Sequence, residues 1–167
     1  MTRIYLGLGS NIDREASLRA GLDALQALLG DLKLSPVYDA PAMGFSGDAF
    51  LNMVVGADTA LSLSQLATRL REIETRHGRA ANAVRFSPRR LDIDILTYGR
   101  LAGLIDGVEL PRGEILEHAF VLRPLAELAP EVRHPVTGQT YREIWRAFDQ
   151  SSQPLRRVSL TWRGEVL

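Results

Sequence analysis

Apolar positions change period several times along this chain, and each change marks an element. Residues 3–10 read as a buried strand, Ile4, Tyr5, Leu6 and Leu8 running into a Gly-Ser-Asn stop. Asp13 stands at the N-cap of a helix predicted over 14–29, with Leu18, Leu22, Leu25 and Leu29 as its stripe and Gly30 at C′. A short strand is predicted over 32–37, ending at Pro36, then a loop over 41–47 containing Pro41 and two glycines. Residues 50–57, rich in Val and Met, read as a second strand. Ser62 opens the next helix, with Gln65 completing a capping box, Leu63, Leu66, Leu70 and Ile73 inside, and Gly78 as its stop. Residues 79–90 are irregular and polar; residues 91–98 return to strand periodicity. A hairpin-like stretch follows, then short helices near 121–128 and 141–148, and a tail over 151–167 in which 158–162 suits an edge strand. Strand, helix, strand, strand, helix, strand and a helical appendix make the split βαβ order. The expected class is therefore α+β, a ferredoxin-like sandwich with a βαββαβ antiparallel sheet, helices on one face and added C-terminal helices. With no repeat, low-complexity tract or linker, residues 1–167 are expected to form a single domain.

The strand at 91–98 carries unusual chemistry. Leu91, Ile93 and Ile95 share one face, and Asp92 and Asp94 share the other. Side chains two apart on a strand are about 6.5–7 Å apart at Cα, so the two carboxylates repel unless water or a cation intervenes. Aspartate is disfavoured inside strands, and two on one face compound the cost. Arg79, Arg85, Arg89 and Arg90 lie upstream. Carboxylate oxygens for a metal beside guanidinium forks for phosphates suit a magnesium-nucleotide site; the alternative is a solvated ion-pair cluster.

Composition narrows this reading. At 167 residues and 46% apolar content the chain is long and hydrophobic enough for a core. Lys+Arg and Asp+Glu are both 20, so the net charge of zero argues against broad capture of nucleic acid or anionic membrane. The absence of cysteine excludes disulfides, thiolate catalysis and Cys-based zinc sites. The N-terminal residues do not read as a signal peptide, and no apolar run approaches a membrane span, so a soluble cytoplasmic protein is expected.

Other motifs fail or stay open. Gly7-Leu8-Gly9-Ser10-Asn11-Ile12 lacks the third glycine of a dinucleotide fingerprint and fits a tight strand-to-helix turn as well; no P-loop motif is present. His77, His118 and His134 have no metal-ligand spacing, and His77 fits a helix C-terminus. Phe50 and Asn52 share a strand face, and an aromatic beside an amide suits a flat heterocycle, as it also suits ordinary core.

Four segments in order resemble the 6-hydroxymethyl-7,8-dihydropterin pyrophosphokinase family: Tyr5-Leu6-Gly7-Leu8-Gly9-Ser10-Asn11, Phe50-Leu51-Asn52, Pro88-Arg89-Arg90-Leu91-Asp92-Ile93-Asp94-Ile95, and Ala119-Phe120-Val121-Leu122-Arg123-Pro124-Leu125. The resemblance runs from Ile4 to about Pro130 and implies the ferredoxin-like fold and a reaction of folate biosynthesis, in which ATP gives its β,γ-diphosphate to the pterin hydroxymethyl oxygen and AMP leaves. It implies two Mg2+ ions on Asp92 and Asp94, and Arg79, Arg89, Asp92 and Asp94 as the catalytic set. It places ATP against Glu74, Arg79, Arg89, Ile95, Arg112 and His118, and the pterin against Ala40, Met43, Phe50, Asn52, Phe86, Asp92 and Phe120. Residues 41–47 and 80–87 correspond to lids.

The chain departs from the family's pattern. Phe86 stands for the usual tryptophan and Ser87 for a glycine; Arg112 replaces a nucleotide-contacting histidine, His118 an arginine; Ala81 and Asn82 replace basic lid residues. Two functional expectations follow: the diphosphotransferase, or a divergent paralogue that binds a pterin with weak, altered or no transfer. A ferredoxin-like RNA-binding module is the reading from another class, but its aromatic signature is missing. The expected partners are small molecules, with no nucleic acid or membrane, and the protein is expected to be a monomer or weak homodimer.

Overall fold

A computed structural model describes residues 1–40, 49–77 and 90–167. The elements are β1 (Thr2–Ser10), α1 (Arg14–Leu29), β2 (Lys33–Leu34), β3 (Val37–Ala40), β4 (Phe50–Thr59), α2 (Leu63–Arg76), β5 (Asp92–Tyr98), β6 (Gly103–Ile105), β7 (Val108–Leu110), α3 (Glu114–Glu117), α4 (Ala119–Leu128), α5 (Tyr141–Ala147), a 3-10 turn at Gln150–Ser152, β8 (Arg156–Val158), β9 (Thr161–Trp162) and β10 (Glu165–Val166). This is a mixed α and β structure around an antiparallel sheet, the coarse class the periodicity predicts.

The sheet runs β5-β1-β4-β3-β8, with β2 also paired to β4. Ile4, Leu6 and Leu8 of β1 enter one core, and Tyr5 enters another on the opposite face. Leu18, Leu22 and Leu25 of α1 and Leu63, Leu66, Leu70 and Ile73 of α2 close the first core. Val121, Leu122 and Leu125 of α4 and Tyr141 and Ile144 of α5 close the second against Tyr5, Val54 and Leu96. The helices therefore do not lie on one face alone. The predicted appendix is a second helical layer, drawn there because Tyr5, Val54 and Leu96 give that face apolar surface to bury.

The predicted strand over 32–37 is two strands. Ser35 uses both its N–H and its hydroxyl on Val54, and Pro36 has no N–H to continue the ladder. The capping box at Ser62 and Gln65 forms as predicted, and a second one joins Thr140 to Glu143. Asp13 does not cap α1 with its side chain: it takes a left-handed backbone and pairs with Arg90 at 2.5 Å. His77 closes α2, donating its backbone N–H to the Ile73 and Glu74 carbonyls. Helix α4 begins at Ala119, earlier than predicted, and the tail's edge strand is Arg156–Val158 rather than 158–162. Among the described residues no helix is long and apolar enough to cross a membrane.

Candidate active site

On the second face of the sheet β1 contributes only glycine beyond Tyr5: Gly7, beside the Leu96 side chain, and Gly9, buried beside Asn52 and Phe50. Gly9 is paired with Asn52 of β4 on one side and Asp92 of β5 on the other, and Gly7 is paired with Val54 and Asp94. A Cβ on Gly9 would lie 3.2 Å from Asn52 Oδ1 and 3.5 Å from Phe50 Cδ1. Gly9 thus gives a glycine floor with an amide and a phenyl ring on one side and the strand of Asp92 and Asp94 on the other, while the Leu96 side chain, 3.4 Å from where a Cβ on Gly7 would lie, bounds it. Such a floor suits the edge of a flat ligand. Ala40 pairs with Phe50, adding β3 to the same end of the sheet.

Strand β5 lies at the sheet edge, so its outer side faces a cleft rather than another strand. The cleft, about 460 Å³, is lined by Leu70 and Glu74 of α2, Ile93, Asp94 and Ile95 of β5, Leu104 and Val108 of the β6–β7 hairpin, and Arg112. Three residues predicted to meet ATP (Glu74, Ile95 and Arg112) are thereby brought together with Asp94. Glu74 is buried and accepts a 2.8 Å hydrogen bond from the Ile93 N–H, satisfying an edge donor the sheet cannot. A bulge sets the register here: Leu6 pairs with Ile95 and Tyr5 with Thr97, leaving Leu96 to turn into the second core.

The electrostatics centre on Asp94. Burial and then the neighbouring Asp92 charge push its carboxyl well above the usual range, against the pull of Arg112. Arg112 Nη2 lies 3.6 Å from Asp94 Oδ1 and 2.8 Å from Glu114 Oε1, and Arg112 Nε donates to Glu114 at 2.9 Å. Burial disfavours the Arg112 charge, but Asp94 and Glu114 outweigh it and its pKa is raised. The guanidinium is held mainly by Glu114 and is shared with the acidic pair.

At the start of α4 the His118 ring stacks on Phe120, with centroids 5.0 Å apart and planes 10° from parallel. Phe120 packs against the second core, on the face that carries the glycine floor. His118 is not among the described residues lining the β5-edge cleft, so the structure groups it with Phe120 rather than with Glu74 and Ile95. Met43, Arg79, Phe86 and Arg89, and both predicted lids, lie outside the described residues.

Asp92 and Asp94 suit a magnesium ion. They offer carboxylate oxygens, and Mg2+ commonly takes one or two protein carboxylates while keeping waters and phosphate oxygens for its other positions. The raised Asp94 pKa marks acidic charge that Arg112 compensates incompletely, which a divalent cation would relieve. Among the described residues no three His, Cys, Asp or Glu side chains gather as a metal cage.

Sequence reasoning missed the floor. Gly7 and Gly9 were readable as a turn because the pairing of β1 between Asn52 and Asp92 is not visible in spacing. It also missed Glu114, whose role depends on a fold-back from Arg112.

Comparison with known proteins bears on the same residues. Residues 5–130 match the family model described as 7,8-dihydro-6-hydroxymethylpterin-pyrophosphokinase (HPPK). A 2-amino-4-hydroxy-6-hydroxymethyldihydropteridine pyrophosphokinase of Methylorubrum extorquens is 38% identical over 155 residues, covering 90% of this chain and 96% of its own. The protein of the same name from Aquifex aeolicus is 33% identical over 146 residues, covering 86% and 91%. Among solved structures, a Plasmodium falciparum HPPK-DHPS with SDX-DHP superposes with a TM-score of 0.68 over 87% of this chain at 16% identity, a likeness of fold. This chain spans 43% of that longer one. The match takes in the glycine floor, the acidic strand and the start of α4, and the chain belongs to the HPPK family.

Proposed function

We propose that this protein transfers the β,γ-diphosphate of ATP to the hydroxymethyl oxygen of 6-hydroxymethyl-7,8-dihydropterin, releasing AMP, a step of folate biosynthesis. The observation that carries the reading is the Gly9 floor between Asn52 and the Asp92–Asp94 pair, with Asp94 also lining the Glu74–Ile95 cleft at the sheet edge. A flat bicycle meets the floor edge-on between Phe50 and Phe120 and a nucleotide lies in the cleft, so Asp92 and Asp94 stand where the two substrates meet.

For the described residues the roles are read from position, and those of Met43, Arg79, Phe86 and Arg89 are carried over from the family. Phe50 and Phe120 hold the pterin faces and the Asn52 amide reads its polar edge, with Ala40 and Met43 approaching through backbone groups and Phe86 closing over it. Leu70, Ile95 and Val108 give the cleft an apolar lining for adenine. Glu74 lies beside the nucleotide and fixes the β5 edge; Arg112 and His118 supply further polar contact, and Arg79 and Arg89 clamp the phosphates. Two Mg2+ ions bound by Asp92 and Asp94 would neutralise triphosphate charge and lower the pKa of the hydroxymethyl group. The pterin oxygen attacks the β-phosphorus and the bond to the α,β-bridging oxygen breaks. AMP leaves with that oxygen, and the hydroxyl proton passes to solvent. The side chains contribute orientation and charge rather than covalent chemistry.

The strand order β5-β1-β4-β3 supports the ferredoxin-like description. We further read residues 1–167 as one domain, cytoplasmic and a monomer or weak homodimer. It acts on small molecules, without nucleic acid or membrane as partner. The test is an assay for AMP with ATP, Mg2+ and the hydroxymethyldihydropterin. Asp94→Asn is expected to abolish AMP formation while the fold persists. Unchanged AMP release in that variant would remove the metal role. Pterin binding by the native protein without AMP formation would instead establish the paralogue reading.

A further inference from the structure

Helix α4 starts without a cap of its own. Its N-cap residue is His118, whose side chain makes no capping hydrogen bond and stacks on Phe120. The first turn of a helix nevertheless presents N–H donors that need acceptors. The Val121 and Leu122 N–H groups reach the His118 carbonyl at 3.1 and 3.0 Å. The Ala119 N–H is taken by a side chain from the far end of the sequence: Gln153 Oε1 accepts it at 2.8 Å. The same carboxamide donates from Nε2 to the Glu117 carbonyl at 2.9 Å, at the end of α3. One planar amide therefore bridges both sides of His118, replacing the serine or threonine that ordinarily closes such a junction.

The strap that carries Gln153 is anchored beyond it. Residues Arg156–Val158 pair with β3, and Arg156 meets Asp39 at 2.8 Å. Asp39 in turn holds Arg14, which donates to the Ala49 carbonyl just before β4. The strap thus ties the helix end bearing Phe120 to the strand ending at Ala40, both assigned above to the pterin slot. Residues 150–158 lie beyond the stretch that matches the family model.

We propose that Gln153 is a positioning residue of the pterin slot. Its carboxamide sets the angle at which α4 presents the His118–Phe120 stack over the glycine floor. This rests on the reading of Phe120 as a pterin wall. Losing the amide frees the helix start by one turn, and the substrate must then restore the wall's position on binding. The cost falls on pterin affinity, while the nucleotide cleft at the β5 edge is untouched.

The experiment compares native protein, Gln153→Ala and Gln153→Glu, measuring KM for the pterin, KM for ATP, kcat and equilibrium pterin binding, well below the melting temperature of each. Gln153→Ala is expected to raise the pterin KM and Kd about tenfold, with ATP KM and kcat within about twofold. Gln153→Glu keeps the acceptor for Ala119 but loses the donor to the Glu117 carbonyl, so it is expected to recover only part of the loss. Unchanged pterin KM and Kd in Gln153→Ala overturn the proposal. A fall in melting temperature with unaltered pterin affinity also overturns it, since a merely structural contact predicts that outcome. Native protein that binds pterin but forms no AMP refutes the reaction and leaves the Kd comparison as the test of Gln153. Native protein that binds no pterin removes the slot itself, and the proposal with it.

Discussion

A side chain on Gly9 would press on the Asn52 amide, a group assigned to the pterin. An added methyl would meet Asn52 Oδ1 at 3.2 Å and Phe50 Cδ1 at 3.5 Å. The Asn52 amide is nearly buried and donates to the Phe50 carbonyl, so it cannot simply swing aside. Gly9→Ala should therefore raise the floor and displace the amide together. The expected outcome in steady-state kinetics is a rise of at least about tenfold in pterin KM, with little change in ATP KM, as a loss of about 1.4 kcal/mol of binding would give. An unaltered pterin KM would put the heterocycle elsewhere. At this scale the sequence is readable where a residue type conflicts with its setting. Two aspartates on one strand face announced themselves, and Phe50 with Asn52 left core and ligand both open. Gly7 and Gly9 did not, because glycine in a strand has several uses and only cross-strand pairing selects one.

Strand β5 combines roles that oppose each other. It buries Ile93 and Ile95 in the first core and carries Asp94 in a setting that raises its pKa. A carboxyl with a folded-state pKa above its unfolded value binds a proton more tightly in the fold. Its contribution to stability is full below 3.8 and is lost as pH rises toward about 7. In magnesium-free buffer the melting temperature should fall across that window, and Asp94→Asn should flatten this fall and raise stability at pH 8 by roughly 1–2 kcal/mol. Magnesium should reverse the trend: the ion competes with the proton, so its stabilisation should be larger at pH 8 than at pH 6 and largely absent in Asp94→Asn. Thermal melts with and without the ion decide the matter. Elements were mostly legible, since leucine stripes and capping boxes are local signals; α1 and α2 fall where the pattern puts them. The exceptions have tertiary causes. Asp13 gave up its cap to meet Arg90, and Ser35 bonded Val54 where a continuous strand was expected.

The tail has separate tasks at its two ends, and this distinction belongs to the molecule as a whole. Residues 150–158 cross the side of the sheet that carries the site, whereas Trp162 and Leu167 plug the first core beside α1. The Trp162 indole N–H donates to Asp23 at 2.9 Å, and Arg163 stacks over the ring. None of this was visible in advance. Pairings such as Gln153 with Ala119 or Arg156 with Asp39 join distant positions and leave no periodicity behind. Trp162→Ala should remove a large buried side chain, while Asp23, exposed and also paired with Arg163, stays satisfied. The expected loss is about 3 kcal/mol, a fall in melting temperature of roughly 6–12 °C. Because that cavity opens on the face opposite the glycine floor, pterin KM measured well below the melting temperature should stay within about twofold. Gln153→Ala should do the reverse, moving pterin KM with a small thermal cost. If Trp162→Ala raised pterin KM as strongly as Gln153→Ala does, the tail would act as a single brace. Stability and substrate positioning would then not be divided between the two faces of the sheet.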